Sequence, residues 1–152
     1  MQHKWESGTP LSTLVEYRAK VSGWDGDLAW YQVTDPAHTV GDYFYANTST
    51  IYSVSQVLRP VPGDDIWKFG RKAGRHGIEV KHLNWCVDYD GSGGYPEFCD
   101  MIASTRPVYG ENGDSGGPWY LGGTAMAVHS GAWNSWGTGY WVGSAVEGNL
   151  AS

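Results

Sequence analysis

The chain has 152 residues, the size of one ordinary domain, and its ten basic and sixteen acidic residues give a net charge of −6, which argues against a nucleic-acid partner. Nine Trp, ten Tyr and 22 Gly residues, with only 17% charged residues, are typical of β-structure rich in turns. This composition excludes a disordered chain, a helical bundle and a coiled coil.

Short runs of β-branched and aromatic residues recur between turn clusters, which is the pattern of a β-sandwich or a β-barrel. The longest apolar runs, such as residues 125–128, are far shorter than the ~20 residues that span a bilayer, so no membrane segment is expected. In chain order the predicted strands cover 27–33, 50–58, 65–69, 77–87, 98–104, 118–121, 124–130 and 139–142, and a short helix is predicted over 144–150.

Two cysteines, Cys86 and Cys99, flank a Gly-rich turn between two predicted antiparallel strands. Their spacing suits a disulfide across the hairpin, and two free thiols are the alternative. A disulfide would place the protein in an oxidising compartment, so we expect it to be secreted.

The strongest chemical signal is the sequence GDSGGP at residues 113–118. A nucleophilic serine needs a loop whose backbone N–H groups converge on the oxygen of the reacting carbonyl, and small residues permit that approach. Here the N–H groups of Gly113 and Ser115 are the candidate donors. Asp114, if buried, has to be paired or hydrogen-bonded, and it would then brace the loop.

Residues 113–118 resemble the active-serine sequence of chymotrypsin-fold serine endopeptidases, and their surroundings are most similar to the compact bacterial, streptogrisin-like branch. Three further stretches, each weak alone, follow in the order of that family. Residues 27–30 resemble the strand that bears the triad acid, residues 70–77 the Gly-rich turn between the first two strands of the second barrel, and residues 124–131 the strand beside the bound substrate.

The resemblance implies an all-β, chymotrypsin-like double barrel. It assigns residues 1–60 to the rest of an incomplete first barrel, and residues 61–152 to the second barrel, which carries the active serine. It also implies a polypeptide substrate, no cofactor, no metal ion and a monomeric protein.

Residue by residue, the resemblance implies that Ser115 is the nucleophile and Asp27 the carboxylate that orients the catalytic histidine. Asp25 competes for the carboxylate role, and Asp27 is preferred because it adjoins the apolar strand. Ser130 and Gly131 would offer backbone groups to an extended peptide, which adds to them as a strand.

In this family the residue equivalent to Asp114 pairs with a cation that fixes the oxyanion loop. The streptogrisin-like members supply that cation from near the Gly-rich turn at Gly70. Lys68 and Arg71 are the two candidates here.

The triad histidine is missing from its expected place, because the family order is His, Asp, Ser. Four of the five histidines follow Asp27 in the chain, and His3 lacks the apolar strand that should precede a catalytic histidine. We therefore expect the general base to lie upstream of Met1, so that the chain is an N-terminally truncated protease with negligible activity by itself. His3 is the alternative base.

The leading functional hypothesis is a secreted serine endopeptidase that works through a Ser115 acyl-enzyme. A catalytically silent homologue that binds peptides or proteins is the second hypothesis. A carbohydrate-binding β-sandwich is the third, suggested by Trp133, Trp136, Tyr140 and Trp141. Tyr109 stands where trypsin-like members carry an acid, so cleavage after Lys or Arg is not supported. Glu111 offers another acid that could attract a basic group, and the cleavage preference therefore stays open.

Overall fold

The computed structural model describes residues 15–23, 26–33, 41–89, 98–105, 113–135 and 138–147. Within these ranges the chain forms strands joined by turns and bends, which confirms the all-β prediction, and none of them holds a helix with the length and apolar character of a membrane span. The strands are β1 (Val15–Gly23), β2 (Gly26–Val33), β3 (Tyr43–Tyr45), β4 (Ile51–Ser53), β5 (Gln56–Val57), β6 (Asp65–Gly70), β7 (Gly74–Val87), β8 (Phe98–Thr105), β9 (Pro118–Leu121), β10 (Thr124–Ser135) and β11 (Thr138–Ala145).

Six of these strands, β6 to β11, close into an antiparallel barrel. The strand order is β11-β8-β7-β6-β9-β10, and β10 completes the ring by pairing with β11. The short β5 adds to β10 in parallel, with Thr124 opposite Gln56. Closure leaves the barrel strands without a free edge over most of their length.

Strand β6 shows how the sequence fills the barrel. Its side chains alternate in burial, with Ile66, Lys68 and Gly70 inside and Asp65 and Trp67 exposed, as the two-residue period of a strand requires. The inward-facing side of β6 joins a core of aromatic and aliphatic side chains. Each large apolar side chain buried in this core stabilises the fold by about 1.5–3 kcal/mol. Its central members include Ile78, Val80, Ile102, Trp119, Met126 and Trp141.

Two hairpins precede the barrel, β1–β2 and β3–β4. The second packs onto the barrel through aromatic rings, because Phe44 and Tyr52 lie 4.9 and 6.0 Å from the ring of Tyr120. The Tyr120 hydroxyl also donates a hydrogen bond to the carbonyl of Ala46. The first hairpin contacts the barrel through β2, where the backbone N–H of Asp27 donates to Ser144 Oγ at 2.6 Å.

Arg59 ties the segment before the barrel to the barrel strands. Its guanidinium forms a bidentate ion pair with Asp100 and donates to Asn84 Oδ1 at 2.7 Å, while its backbone N–H donates to Glu147. Asn84 and Asp100 have positive φ angles of 53° and 55°. The arginine therefore links two positions whose backbones lie in the left-handed region that asparagine and aspartate tolerate better than other residues with a Cβ.

The predicted disulfide between Cys86 and Cys99 is present and joins β7 to β8. The two cysteines are 13 positions apart in the sequence, and the disulfide closes a loop that contains the turn between the two strands. A covalent link of this kind stabilises the fold mainly because it restricts the unfolded chain.

Replacing both cysteines by alanine is expected to lower the free energy of unfolding by about 3 kcal/mol, the value for closing a loop of this length. Urea unfolding of the oxidised wild type and of Cys86→Ala/Cys99→Ala measures it. A reducing agent should lower the wild-type midpoint and leave that of the variant unchanged. Equal midpoints for the two oxidised proteins would contradict the prediction.

The strand predicted over 50–58 is wrong as one element, because it is divided into β4 and β5. Between them the N–H of Val54 turns to the carbonyl of Asp42, and the N–H of Ser55 turns to the carbonyl of Gly123. These two N–H groups donate to different segments and therefore do not belong to one ladder of strand hydrogen bonds. The alternation of polar and apolar residues in the sequence continues across this break between β4 and β5.

The C-terminal helix is also wrong over its described part. Ser144 and Ala145 lie in β11, where they pair with Val128 and Ala127, and both are buried. Closure of the barrel therefore overrides the local helical tendency of this segment. Residues 148–150 lie outside the described residues, and the predicted division at residue 60 stays a prediction.

Candidate active site

The GDSGGP loop is folded tightly against β10. Gly113 and Gly116 have positive φ angles of 110° and 87°, which glycine adopts without strain. The N–H of Gly116 donates to the carbonyl of His129 at 2.8 Å, and the N–H of His129 donates to the carbonyl of Gly117 at 2.8 Å. A Cβ on Gly117 would lie 2.1 Å from the carbonyl oxygen of Phe69, so only glycine fits there.

Ser115, Ser130 and Asp27 are joined by hydrogen bonds. The Ser115 hydroxyl donates to the carbonyl of Ser130 at 2.9 Å, and the Ser130 hydroxyl donates to Asp27 Oδ2 at 2.6 Å. The three residues come from the loop before β9, from β10 and from β2, across 103 positions of chain. Ser130 thus lies between the predicted nucleophile and the preferred carboxylate and is hydrogen-bonded to both. Asp25, the competing carboxylate, lies outside the described residues.

Lys68 is the cation beside Asp114. Lys68 Nζ lies 2.9 Å from Asp114 Oδ2, and the two side chains are 0% and 1% exposed. Oδ1 of the same carboxylate accepts the backbone N–H groups of Lys72 and Ala73 at 2.8 and 3.1 Å. The other candidate, Arg71, is exposed. The carboxylate of Asp114 is therefore held by one ammonium and two amides.

The surroundings of Asp114 keep it ionised. Burial would raise the pKa of its carboxyl, but the hydrogen bond from Lys68 and those from Ala73 and Lys72 outweigh burial, so the pKa lies below its usual value. Gly70 is essential to this packing, because a Cβ there would lie 2.2 Å from Asp114 Cγ. The residue before Ser115 is thus fixed from several sides.

The backbone N–H groups of Gly113 and Ser115 are the predicted oxyanion donors. In the part of the chain that the structure describes, neither has a hydrogen-bond acceptor. Neither N–H is therefore committed to a partner within the described residues.

His129 lies next to Ser130, yet its side chain points into the barrel. It is only 4% exposed, its ring stacks on Trp119 with centroids 6.1 Å apart, and Trp141 lies edge-on to it at 6.2 Å. Burial and the nearby Lys68 ammonium lower the pKa of His129 to about 3. His129 is therefore a neutral residue of the core.

The other described histidines are engaged elsewhere. His76 Nε2 lies 2.7 Å from the carbonyl of Ala73, and the His82 ring packs on Trp85 at 4.1 Å. His3 and His38 lie outside the described residues. Among the described residues, then, no histidine side chain is hydrogen-bonded to the serine or carboxylate of the candidate site.

The arrangement of strands is similar to that of bacterial serine proteases. A glutamic acid specific serine protease, described as using a histidine triad in substrate binding, is 21% identical with a TM-score of 0.76, and the match covers 96% of this chain and 73% of that protein. Cellulomonas bogoriensis chymotrypsin is 23% identical with a TM-score of 0.68, over 83% of this chain and 66% of that one. A Nocardiopsis protease is 20% identical with a TM-score of 0.67, over 97% and 84%. The chain has the chymotrypsin fold. No protein-family model and no curated protein matches it.

Within the chymotrypsin fold, Ser130 and Gly131 were predicted to face an extended substrate. The register of β10 against β11 shifts between His129 and Gly131, so Ser130 sits at a bulge. At this bulge the carbonyl of Ser130 accepts the hydrogen bond of the Ser115 hydroxyl, and the Ser130 side chain donates to Asp27.

Tyr89 is a residue of this site that the sequence did not indicate. Its hydroxyl lies 3.0 Å from Ser130 Oγ, and a Cβ on Gly131 would lie 3.2 Å from its ring. Tyr89 belongs to a segment that reads as a simple turn, and a contact across 41 positions has no local sequence signal.

Within the described residues, the aromatic side chains that suggested carbohydrate binding do not form a flat platform. Trp141 is fully buried, and Trp136 lies outside the described residues. Trp85 packs against Trp133 and Tyr140 with interplanar angles of 70° and 39°. These rings pack on one another rather than presenting coplanar faces.

Proposed function

We propose that this chain carries the nucleophile, the oxyanion loop and the triad carboxylate of a serine endopeptidase that works through a Ser115 acyl-enzyme. The observation that supports this most is the hydrogen-bonded set of Ser115, Ser130 and Asp27, beside a loop whose Gly113 N–H is unpaired within the described residues. The proposal extends to polypeptide substrates, with the disulfide supporting a secreted protein.

The proposed reaction follows from these positions. A general base removes the proton of the Ser115 hydroxyl as Oγ attacks the carbonyl carbon of the scissile bond, and the N–H groups of Gly113 and Ser115 bind the oxyanion. The C–N bond then breaks, and the base returns the proton to the leaving amine. Water attacks the ester by the same route, which releases the acid and restores the hydroxyl. Asp27 orients the base and stabilises its positive charge.

The reaction needs a general base, because the serine hydroxyl is a weak nucleophile near neutral pH, and in the Ser-His-Asp triad that base is an imidazole. We propose that it is a histidine upstream of Met1, because the triad order requires a histidine before Asp27 and His3, the one that precedes Asp27 here, lacks the apolar strand that should lead into a catalytic histidine. Without that base only the oxyanion donors and substrate binding remain, which leaves an acceleration of about 10³–10⁴ over water.

Labelling with a fluorophosphonate tests the proposal. We expect rapid labelling of a chain that includes the residues encoded upstream of Met1, on the peptide that contains Ser115, and slow labelling of the 152-residue chain alone. Ser115→Ala should abolish the label and Asp27→Asn should slow it about 10⁴-fold, as loss of the triad carboxylate does elsewhere. Ser49→Ala, at an exposed serine, is the matched control and should label like the wild type.

Two results would count against this assignment. Failure of the extended chain to label at Ser115 would remove the nucleophile, and robust turnover by the 152-residue chain that His3→Ala abolishes would make His3 the base.

The second candidate function is a catalytically silent protein that binds peptides. The observation that favours it is the Ser115 hydroxyl, which is hydrogen-bonded to the Ser130 carbonyl rather than to an imidazole in the described part of the chain. Peptide binding by the extended chain without labelling or turnover would support this alternative.

A further inference from the structure

Tyr89 connects the candidate carboxylate to the disulfide hairpin. It lies three residues after Cys86, and its hydroxyl is 3.0 Å from Ser130 Oγ. Ser130 Oγ in turn lies 2.6 Å from Asp27 Oδ2. A continuous path of hydrogen bonds therefore runs from the phenol to the carboxylate.

The direction of the hydrogen bonds follows from counting protons. A serine hydroxyl has one hydrogen, and an ionised carboxylate only accepts. The hydrogen of Ser130 is therefore used on Asp27, and the remaining hydrogen bond of Ser130 Oγ has to be donated by the Tyr89 hydroxyl. Hydrogen bonds in such a chain polarise and strengthen one another.

The phenol is held in place by its surroundings. The Phe98 ring, next to Cys99, lies 5.7 Å from the Tyr89 ring, and Trp133 Nε1 donates to the carbonyl of Asp88 at 3.2 Å. A Cβ on Gly131 would lie 3.2 Å from the Tyr89 ring, so the ring also lies close to the backbone of β10. Its hydroxyl therefore reaches Ser130 from a position braced by both ends of the hairpin.

We propose that Tyr89 is a positioning residue for the triad carboxylate, acting through Ser130; this inference rests on the proposed function. The phenol fixes the Ser130 hydroxyl with its hydrogen on Oδ2 of Asp27, so that the carboxylate keeps one orientation toward the general base. A free Ser130 hydroxyl can rotate toward other acceptors, and Asp27 then loses a donor.

The test is Tyr89→Phe, which removes the hydroxyl and keeps the ring beside Gly131. In the extended, active chain we expect kcat for a peptide substrate to fall about threefold to tenfold, the equivalent of one hydrogen bond, with KM within twofold of the wild type. Tyr140→Phe, at another half-buried tyrosine of the same barrel, is the matched control and should change neither constant.

The Ser130→Ala background separates positioning from packing. There Tyr89→Phe should have no further effect on kcat, because the residue through which it acts is gone. An equal fall in kcat in both backgrounds, or a rise in KM alone, would overturn the proposal.

A double-mutant cycle of Tyr89 and Ser130, measured by unfolding, tests the hydrogen bond between them even if the proposed function fails. Tyr89→Phe should reduce the folding equilibrium constant several-fold in the wild type, and by less than twofold in Ser130→Ala, as measured by urea unfolding. Absent labelling at Ser115 with this coupling present would refute only the protease assignment. Absence of coupling would refute the hydrogen-bond chain itself.

Discussion

Replacing Lys68 by Met is expected to lower the free energy of unfolding by about 3–5 kcal/mol, the cost of leaving a buried charge without its partner. Both side chains of the Lys68–Asp114 pair are essentially inaccessible to water, so no solvent replaces the lost ammonium. The ammonium also lies 4.3 Å from the centroid of the Trp141 ring, a contact that Met retains only in part. Urea unfolding at pH 7 measures the loss.

Two controls identify the charge as the cause. Lys81→Met removes an ion pair with Glu79 whose side chains are 38% and 40% exposed, and such surface pairs contribute about 0–1 kcal/mol. Lys68→Met/Asp114→Asn should be more stable than Lys68→Met alone, because a neutral amide still accepts the N–H groups of Lys72 and Ala73. A loss for Lys68→Met as small as that for Lys81→Met would contradict the buried ion pair.

The same substitution connects stability to the proposed chemistry. Asp114 adjoins Ser115, and its carboxylate holds the loop that carries both candidate oxyanion donors. Without Lys68 this loop loses a fixed point, and we expect phosphonylation of Ser115 to slow about 10²-fold, comparable to the removal of one oxyanion donor. Lys81→Met should leave that rate unchanged.

The parts of the site that a local pattern describes could be predicted from the sequence. Ser115 stands in a six-residue motif that also contains Gly113 and Asp114, and Asp27 adjoins an apolar strand, so local patterns are enough to predict all four. The choice between Lys68 and Arg71 also had a local signal. The two-residue period of β6 puts Lys68 on the same face as Ile66, inside the barrel, whereas Arg71 follows the end of the strand.

Long-range contacts explain what the sequence did not indicate. Tyr89 meets Ser130 only because the barrel closes, and for the same reason Ser144 and Ala145, the first residues of the expected C-terminal helix, lie in β11. Strand β1 is a different case. Val15–Gly23 alternates apolar with polar residues, so a local pattern in the sequence is sufficient to predict this strand.

The second large effect is on pH dependence, and it comes from His129. Its pKa is about 3 in the folded protein and 6.5 in the unfolded chain, because burial and the adjacent Lys68 oppose protonation more than the nearby Asp114 favours it. The unfolded state therefore binds the extra proton between these values, and stability falls as the pH is lowered through that window. From pH 7.5 to 4.5 we expect a loss of about 2.5 kcal/mol, and about 4 kcal/mol by pH 3.

The variant His129→Phe isolates this contribution. Phenylalanine keeps a ring against Trp119 and cannot titrate, and the backbone hydrogen bonds of residue 129 to the serine loop are unaffected. The fall in unfolding free energy from pH 7.5 to 4.5 should be smaller in the variant than in the wild type by about 2.5 kcal/mol, the share that His129 contributes. The window stays above the range in which Asp114 loses its stabilising charge: its pKa is depressed by folding, so that stabilisation disappears only as the pH falls further. If the stability of the wild type is constant over this window, His129 binds its proton equally well in the folded and unfolded states. The assignment of His129 as a neutral, buried imidazole beside Lys68 would then be wrong.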